Sequence, residues 1–118
     1  MIADHRPSWA WKPTDIYGPS RSFAVDPQTL EILRKLSKKG IDKRAALQLG
    51  IEALHGAMFY GEYSTLRKAP AGAERISVRL TTPIDRAAVV LAHTDRFCDI
   101  GHVLRAAVWA AWWTVGGP

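Results

Sequence analysis

Arg75, Ser77 and Arg79 alternate with apolar residues in the segment RISVRLT. Because successive side chains of a strand point to opposite faces, these three residues share the exposed face when their apolar neighbours are buried. An arginine fork makes two parallel hydrogen bonds to a guanine edge, and a serine hydroxyl donates or accepts one. The alternative is an ordinary exposed sheet face, on which the two arginines serve only solvation.

A second basic cluster, KLSKKGIDKR, joins the end of one helical pattern to the start of the next. Its cations Lys39, Lys43 and Arg44 flank a predicted helix N-terminus, where free amides and the helix dipole attract anions such as phosphate. The start of the last predicted helix offers Gly101 and His102 in the same role. A solvated turn is the alternative interpretation of the cluster.

Metal and catalytic chemistry are not expected. His93, Cys98 and His102 lie within ten residues, but their spacing matches no standard zinc pattern and a fourth ligand is not evident. The chain has no glycine-rich phosphate loop, and its acidic residues fall mostly at helix caps and linkers. We therefore expect no metal, no cofactor and no enzymatic activity.

Composition sets the class of protein. The chain has 118 residues, of which 47% are hydrophobic, a single cysteine, and a formal net charge of +5. No apolar run approaches the roughly 20 residues that cross a bilayer. We predict a cytoplasmic protein with no membrane association and a polyanionic partner, although ordinary solubilising charge accounts for the net charge equally well.

The order strand, helix, helix occurs twice along the chain. Residues 1–20 contain three prolines and no period, which predicts an N-terminal arm. Residues 21–60 carry the first set of elements, residues 61–74 lose all periodicity and form a linker, and residues 75–118 repeat the order. The helices of the second set are predicted over residues 83–96 and 100–115.

A register relates the two sets. A shift of 55 residues superposes Ser22 on Ser77, and a shift of 57 superposes Leu47 on Leu104. A unit of roughly 35 to 40 residues buries too little surface to be stable alone, and a solitary strand leaves its backbone groups unpaired. We therefore expect a mainly α fold in which the two strands pair as an antiparallel β-ribbon and four helices stack behind it.

This arrangement resembles the ribbon-helix-helix family of DNA-binding proteins, with two units in one chain. Residues 77–80 match the strand pattern S-V-R-L of that family, and residues 103–108 fit the apolar and arginine positions of its second helix. Gly40 and Ile41 match the interhelical turn, but Gln48 stands where the family usually has arginine. Two units in one chain resemble the less common tandem type, found among accessory proteins of plasmid and T-DNA transfer.

The resemblance implies a ribbon that enters the major groove of double-stranded DNA. Both strands then contribute outward residues: Arg75, Ser77, Arg79, Ser20, Ser22 and Ala24. The second helices would contact phosphate through their N-termini. Asp42 and Asp99 depart from the family, which favours serine or threonine as the caps of these helices, and they add negative charge where phosphate should lie.

The sequence is compatible with three functions. They are an accessory factor in conjugative plasmid or T-DNA transfer, a transcriptional repressor with the same ribbon, and an antitoxin or adaptor that binds protein through the Trp-rich segment WAAWW at 109–113. A relaxase is a candidate partner for that segment. The alternative to a protein contact is that the Trp-rich segment packs in the core and is covered by Trp9 and Trp11 of the arm. We expect one chain to act as a monomer with an internal pseudo-dimer.

Overall fold

The computed structural model describes residues 17–55, 66 and 68–116. These residues form two strands and four helices in the predicted order: β1 (Tyr17–Val25), α1 (Pro27–Lys38), α2 (Lys43–His55), β2 (Glu74–Thr81), α3 (Thr82–Ala92) and α4 (Ile100–Thr114). The expected fold class, mainly helical with a two-stranded antiparallel sheet, is confirmed. Most of the predicted arm, with Trp9 and Trp11, and residues 61–65 and 67 of the linker lie outside the described residues.

Aspartate side chains cap the N-termini of α1, α2 and α4. The carboxylate of Asp26 accepts a hydrogen bond from the Thr29 amide at 3.2 Å, and that of Asp42 accepts one from the Ala45 amide at 2.9 Å. Asp99 caps α4 in the same way. Between α1 and α2 the chain turns at Gly40, whose φ of 83° lies in the left-handed region that glycine enters without strain.

Two predicted boundaries are wrong by several residues, and the linker ends one residue earlier than predicted because Glu74 belongs to β2. β1 begins at Tyr17, so residues 17–20 belong to the strand and not to the arm. α3 ends at Ala92 and not at residue 96, because the His93 and Thr94 amides turn back to the carbonyls of Val90 and Leu91. The hydroxyl of Thr94 also donates to the Leu91 carbonyl at 2.7 Å, which satisfies a group that a longer helix would have bonded.

The two strands pair about a central serine pair. In the ladder Ser22 lies opposite Ser77, the residue on which the 55-residue shift superposes it. Phe23, Val25, Val78 and Leu80 are buried beneath the ribbon, as the alternation predicts. The pairing is irregular between Tyr17 and Ser20.

The core lies between the ribbon and the helices, with α2 against α4 as its most extensive helix contact. Every inward residue that helical spacing predicts for these two helices is buried: Ala46, Leu47, Gly50, Ile51, Leu54, Val103, Leu104, Ala107, Val108, Ala111 and Trp112. At Gly50 the backbones of the two helices lie close together, because a Cβ atom there would overlap the carbonyl oxygen of Ala107. The 57-residue shift relates these same two residues.

An ion pair ties β1 to α3. Arg21 donates from Nε and Nη2 to the two carboxylate oxygens of Asp85, at 2.9 and 2.8 Å, in the parallel geometry that suits a guanidinium. These hydrogen bonds raise the pKa of Arg21 above its usual value. Gly18 leaves room for the carboxylate, since a Cβ there would lie 3.1 Å from the Asp85 side chain.

Replacing Asp85 by asparagine should lower the free energy of unfolding by about 2 kcal/mol, because Arg21 keeps its charge and loses a carboxylate. We expect less than the loss typical of a fully buried pair, since the Arg21 side chain is 26% exposed. Urea denaturation followed by circular dichroism measures the change. Glu31→Gln is the matched control, because its pair with Arg34 is exposed and should contribute below about 0.5 kcal/mol. Equal losses from both variants would contradict the prediction.

Candidate nucleic-acid interface

The outer face of the ribbon carries all six residues that the sequence predicts to face outward. The ladder places Ser20 opposite Arg79, Ser22 opposite Ser77, and Ala24 opposite Arg75. Five of them are exposed and Ala24 is half-buried. Three cross-strand pairs therefore form one small polar surface, which we call the ribbon face.

Arg75 lies across the ribbon. Its Nε donates to the Ser22 hydroxyl at 3.2 Å, and its Nη2 donates to the Ser22 carbonyl at 3.0 Å. The side chain thus bridges the two strands and orients the central serine. Two of its five N–H donors are committed before any ligand approaches.

Arg79 differs from Arg75 in this respect. Its side chain is exposed on the ribbon face, and within the described part of the chain no hydrogen bond or ion pair engages it. Among the described residues nothing occupies its five donors, which are therefore available to a ligand. Arg79 is therefore the ribbon residue best prepared for a bidentate contact.

The N-terminus of α2 adjoins the Arg79 end of the ribbon face. A surface depression of about 460 Å³ is lined by residues of both: Ser20, Ser77, Val78, Arg79, Asp42, Lys43 and Arg44. The fold thus brings predicted base-reading and predicted phosphate-binding residues together. The helix dipole and the two cations favour an anion here, while the Asp42 carboxylate, held by the Ala45 amide, opposes it in part.

The guanidinium of Arg44 is held by both strands. Its Nε donates to the Arg79 carbonyl and its Nη1 donates to the Tyr17 hydroxyl, each at 3.0 Å. The guanidinium carbon lies 4.6 Å from the centre of the Tyr17 ring, a cation–π distance. Sequence reasoning missed Tyr17 because it lay in the predicted arm, and no local pattern signals a contact between residues so far apart in the chain.

The start of α4 offers much less to an anion. The His102 side chain is only 2% exposed, its Nδ1 accepts a hydrogen bond from the Cys98 amide at 3.1 Å, and its ring packs edge-on against Phe97. A phosphate contact through this side chain finds no support in the geometry. Gly101 is half-buried, with the Arg105 guanidinium 3.2 Å from the point where its Cβ would lie.

Arg105 supports the ribbon from within. It is 5% exposed, and it donates from Nε to the Leu66 carbonyl at 2.7 Å and from Nη1 to the Ala24 carbonyl at 3.1 Å. Burial lowers the pKa of this arginine below its usual value. Through its two hydrogen bonds Arg105 connects Leu66 of the linker to Ala24 of β1.

The remaining predicted cation and the tryptophans lie elsewhere. Lys39 and Lys35 lie over the Trp112 ring, at 5.8 and 5.6 Å from its centre, and Lys39 does not line the depression. The indole N–H of Trp109 donates to the Thr29 hydroxyl of α1 at 2.9 Å, and the side chain is partly buried against the core. Trp113 is 52% exposed.

Within the described ranges, histidine, cysteine and acidic side chains form no group of three or more that could hold a metal ion. Nor does any described helix combine the length and apolar character that a bilayer crossing requires. Comparison of the chain with protein-family models, curated proteins and solved structures gave no match. Evidence on function therefore comes from the ribbon face and its surroundings.

Proposed function

We propose that the chain binds double-stranded DNA sequence-specifically by inserting the β1–β2 ribbon into the major groove. The observation that carries this proposal is the ribbon face, where an uncommitted arginine, Arg79, lies beside a basic helix N-terminus. The major groove admits a two-stranded ribbon, and arginine reads guanine there. A net charge of +5 favours the same partner.

We further propose that the fold consists of two ribbon-helix-helix units. Two pairs of residues support this: Ser22 with Ser77 in the ladder, and Gly50 with Ala107 between α2 and α4. In each pair the sequence register superposes one residue on the other. A pseudo-two-fold axis that exchanges the units would pass through both contacts, since only equivalent residues meet on such an axis.

A single chain should therefore be a monomer in solution. β1 and β2 of one chain already pair with each other, so neither strand needs a partner from a second copy. Light scattering at micromolar concentration should report a mass near 13.1 kDa, independent of dilution. A mass near twice this value, or loss of helical signal on dilution, would show that units pair between chains.

The biological role within this proposal is that of an accessory factor in conjugative plasmid or T-DNA transfer, which rests on the tandem resemblance. A transcriptional repressor would use the same ribbon. The exposed indole of Trp113 favours an additional protein contact, for which a relaxase is a candidate. Recruitment of purified relaxase to the protein–DNA complex would support the transfer role over the repressor role. The Trp113→Ala variant is the control and should not recruit relaxase.

Selection of binding sites from random duplex DNA tests the proposal directly. The full chain should enrich a motif without palindromic symmetry, because the two strands present different residues to the groove. Ser77→Glu is the control, since it places a carboxylate at the exposed centre of the ribbon face while leaving the buried face unchanged. The Ser77→Glu variant should show an unchanged circular dichroism spectrum and should enrich no DNA sequence. Failure of the unmodified chain to enrich any sequence would overturn the proposal.

A further inference from the structure

Arg44 occupies the point at which the ribbon loses its regular pairing. The ladder is irregular between Tyr17 and Ser20, and the Arg44 guanidinium bonds to Tyr17 on one strand and to the Arg79 carbonyl on the other. It therefore fastens together the two strand ends that the ladder holds less well. Arg79 is thus the residue whose backbone carbonyl Arg44 holds, and its own side chain extends from that backbone.

The Arg79 carbonyl accepts a hydrogen bond from Arg44 Nε at 3.0 Å. In a two-stranded sheet each strand has one edge without a neighbouring strand, and backbone carbonyls on that edge accept hydrogen bonds from side chains or water instead. An Arg79 backbone held by a hydrogen bond presents its side chain in a narrower range of directions than one bonded to water. Base readout depends on that direction, because a bidentate contact tolerates little misplacement.

The other end of the ribbon has the same feature. Ala24, which the 55-residue shift relates to Arg79, has its carbonyl bound by Arg105 at 3.1 Å. The 57-residue shift relates Arg44, at the start of α2, to Gly101 at the start of α4. Glycine has no side-chain charge, so this position of α4 carries no cation. At each end of the ribbon an arginine thus donates to a strand carbonyl, Arg44 at one end and Arg105 at the other. Only the end beside α2 also has a cation in the first turn of a helix.

We infer that Arg44 is a positioning residue that holds the strand end carrying Arg79 and so sets the sequence preference of the ribbon. This differs from the phosphate contact that the sequence suggests for Arg44, and it rests on the proposed DNA binding. Lys43, its neighbour on α2, is exposed and lines the same depression, so it retains the phosphate role.

The test compares Arg44→Lys, which keeps the charge and loses the fork, with Lys43→Ala. Fluorescence anisotropy with the selected duplex and a scrambled one, each at two salt concentrations, gives the affinities. Arg44→Lys should reduce the specific-to-scrambled affinity ratio by about tenfold and leave the salt dependence unchanged. Lys43→Ala should weaken both duplexes by one factor and reduce the salt slope by about one.

Amide hydrogen exchange on the DNA-free protein supplies an independent readout. Arg44→Lys and Tyr17→Phe should each speed exchange at the Ser20 and Arg79 end of the ladder, whereas Lys43→Ala should not. Unchanged exchange in both variants overturns the inference, whatever the duplexes do. It is equally overturned if Arg44→Lys keeps the affinity ratio. If the unmodified protein binds the two duplexes alike while exchange behaves as expected, the proposed function fails and the positioning contact stands.

Discussion

Gly50→Ala should destabilise the protein by at least about 3 kcal/mol, a large fraction of the stability of a domain of this size. The added methyl group would overlap the Ala107 carbonyl, which belongs to the α4 backbone and cannot rotate away. Helix propensity acts in the opposite direction, because alanine favours a helix over glycine by about 1 kcal/mol. The sign of the measured change therefore decides which effect dominates. Urea and thermal denaturation followed by circular dichroism measure it.

Ala107→Gly is the matched control at the partner position. Alone it should cost about 1 kcal/mol through helix propensity. Combined with Gly50→Ala it should give no rescue, because the overlap involves the carbonyl oxygen and not the methyl group of residue 107. A Gly50→Ala variant as stable as the unmodified chain, or one rescued by Ala107→Gly, would show that α2 and α4 separate easily at this point.

Local rules account for much of the fold. Period two identified the buried face of β2, and helical spacing identified the inward residues of α2 and α4, because burial of one face forces such periods. The sequence predicts Asp42 and Asp99 as caps, as observed, because a short acceptor before a helix satisfies its first amides. The pairing of β1 with β2 followed from the need to satisfy two otherwise solitary strands.

Contacts between distant segments could not be predicted in this way. Gly50 fits a helical apolar stripe, but its smallness matters only because α4 approaches it. Its position at the start of the last helix predicts a phosphate contact for His102, whereas its ring turns inward to the Cys98 amide and Phe97. Arg105 matched a family position, yet its role on the Ala24 carbonyl depends on packing that no local pattern records.

The two outward arginines of β2 show the same limit within the candidate site. Alternation places Arg75 and Arg79 on one face and cannot distinguish them. In the structure Arg75 is bound to Ser22 across the ribbon, while Arg79 extends from a strand end held by Arg44. Arg75 must release Ser22 before all five of its donors can serve a base, whereas Arg79 has no such contact to break within the described part of the chain.

Arg79→Ala should therefore remove more base discrimination than Arg75→Ala. We expect a loss of roughly 1 to 3 kcal/mol at one position of the selected site, which should be a guanine. This loss corresponds to about 5- to 150-fold in affinity. The substitution leaves the Arg79 carbonyl and hence its hydrogen bond to Arg44 in place. Anisotropy with duplexes that carry each base at that position measures the discrimination.

Arg86→Ala provides the control for charge, since Arg86 is exposed on α3 and is not part of the ribbon face. Both variants lose one positive charge and should weaken long-range attraction to DNA to a similar extent, which appears as a similar loss of affinity for scrambled duplex. Only Arg79→Ala should also flatten the preference among bases. If Arg79→Ala keeps that preference, β2 does not read the groove at this position, whether or not the protein binds DNA. If Arg75→Ala instead abolishes it, the contact between Arg75 and Ser22 opens at little cost on binding, and the reading end of the ribbon is the one beside α4.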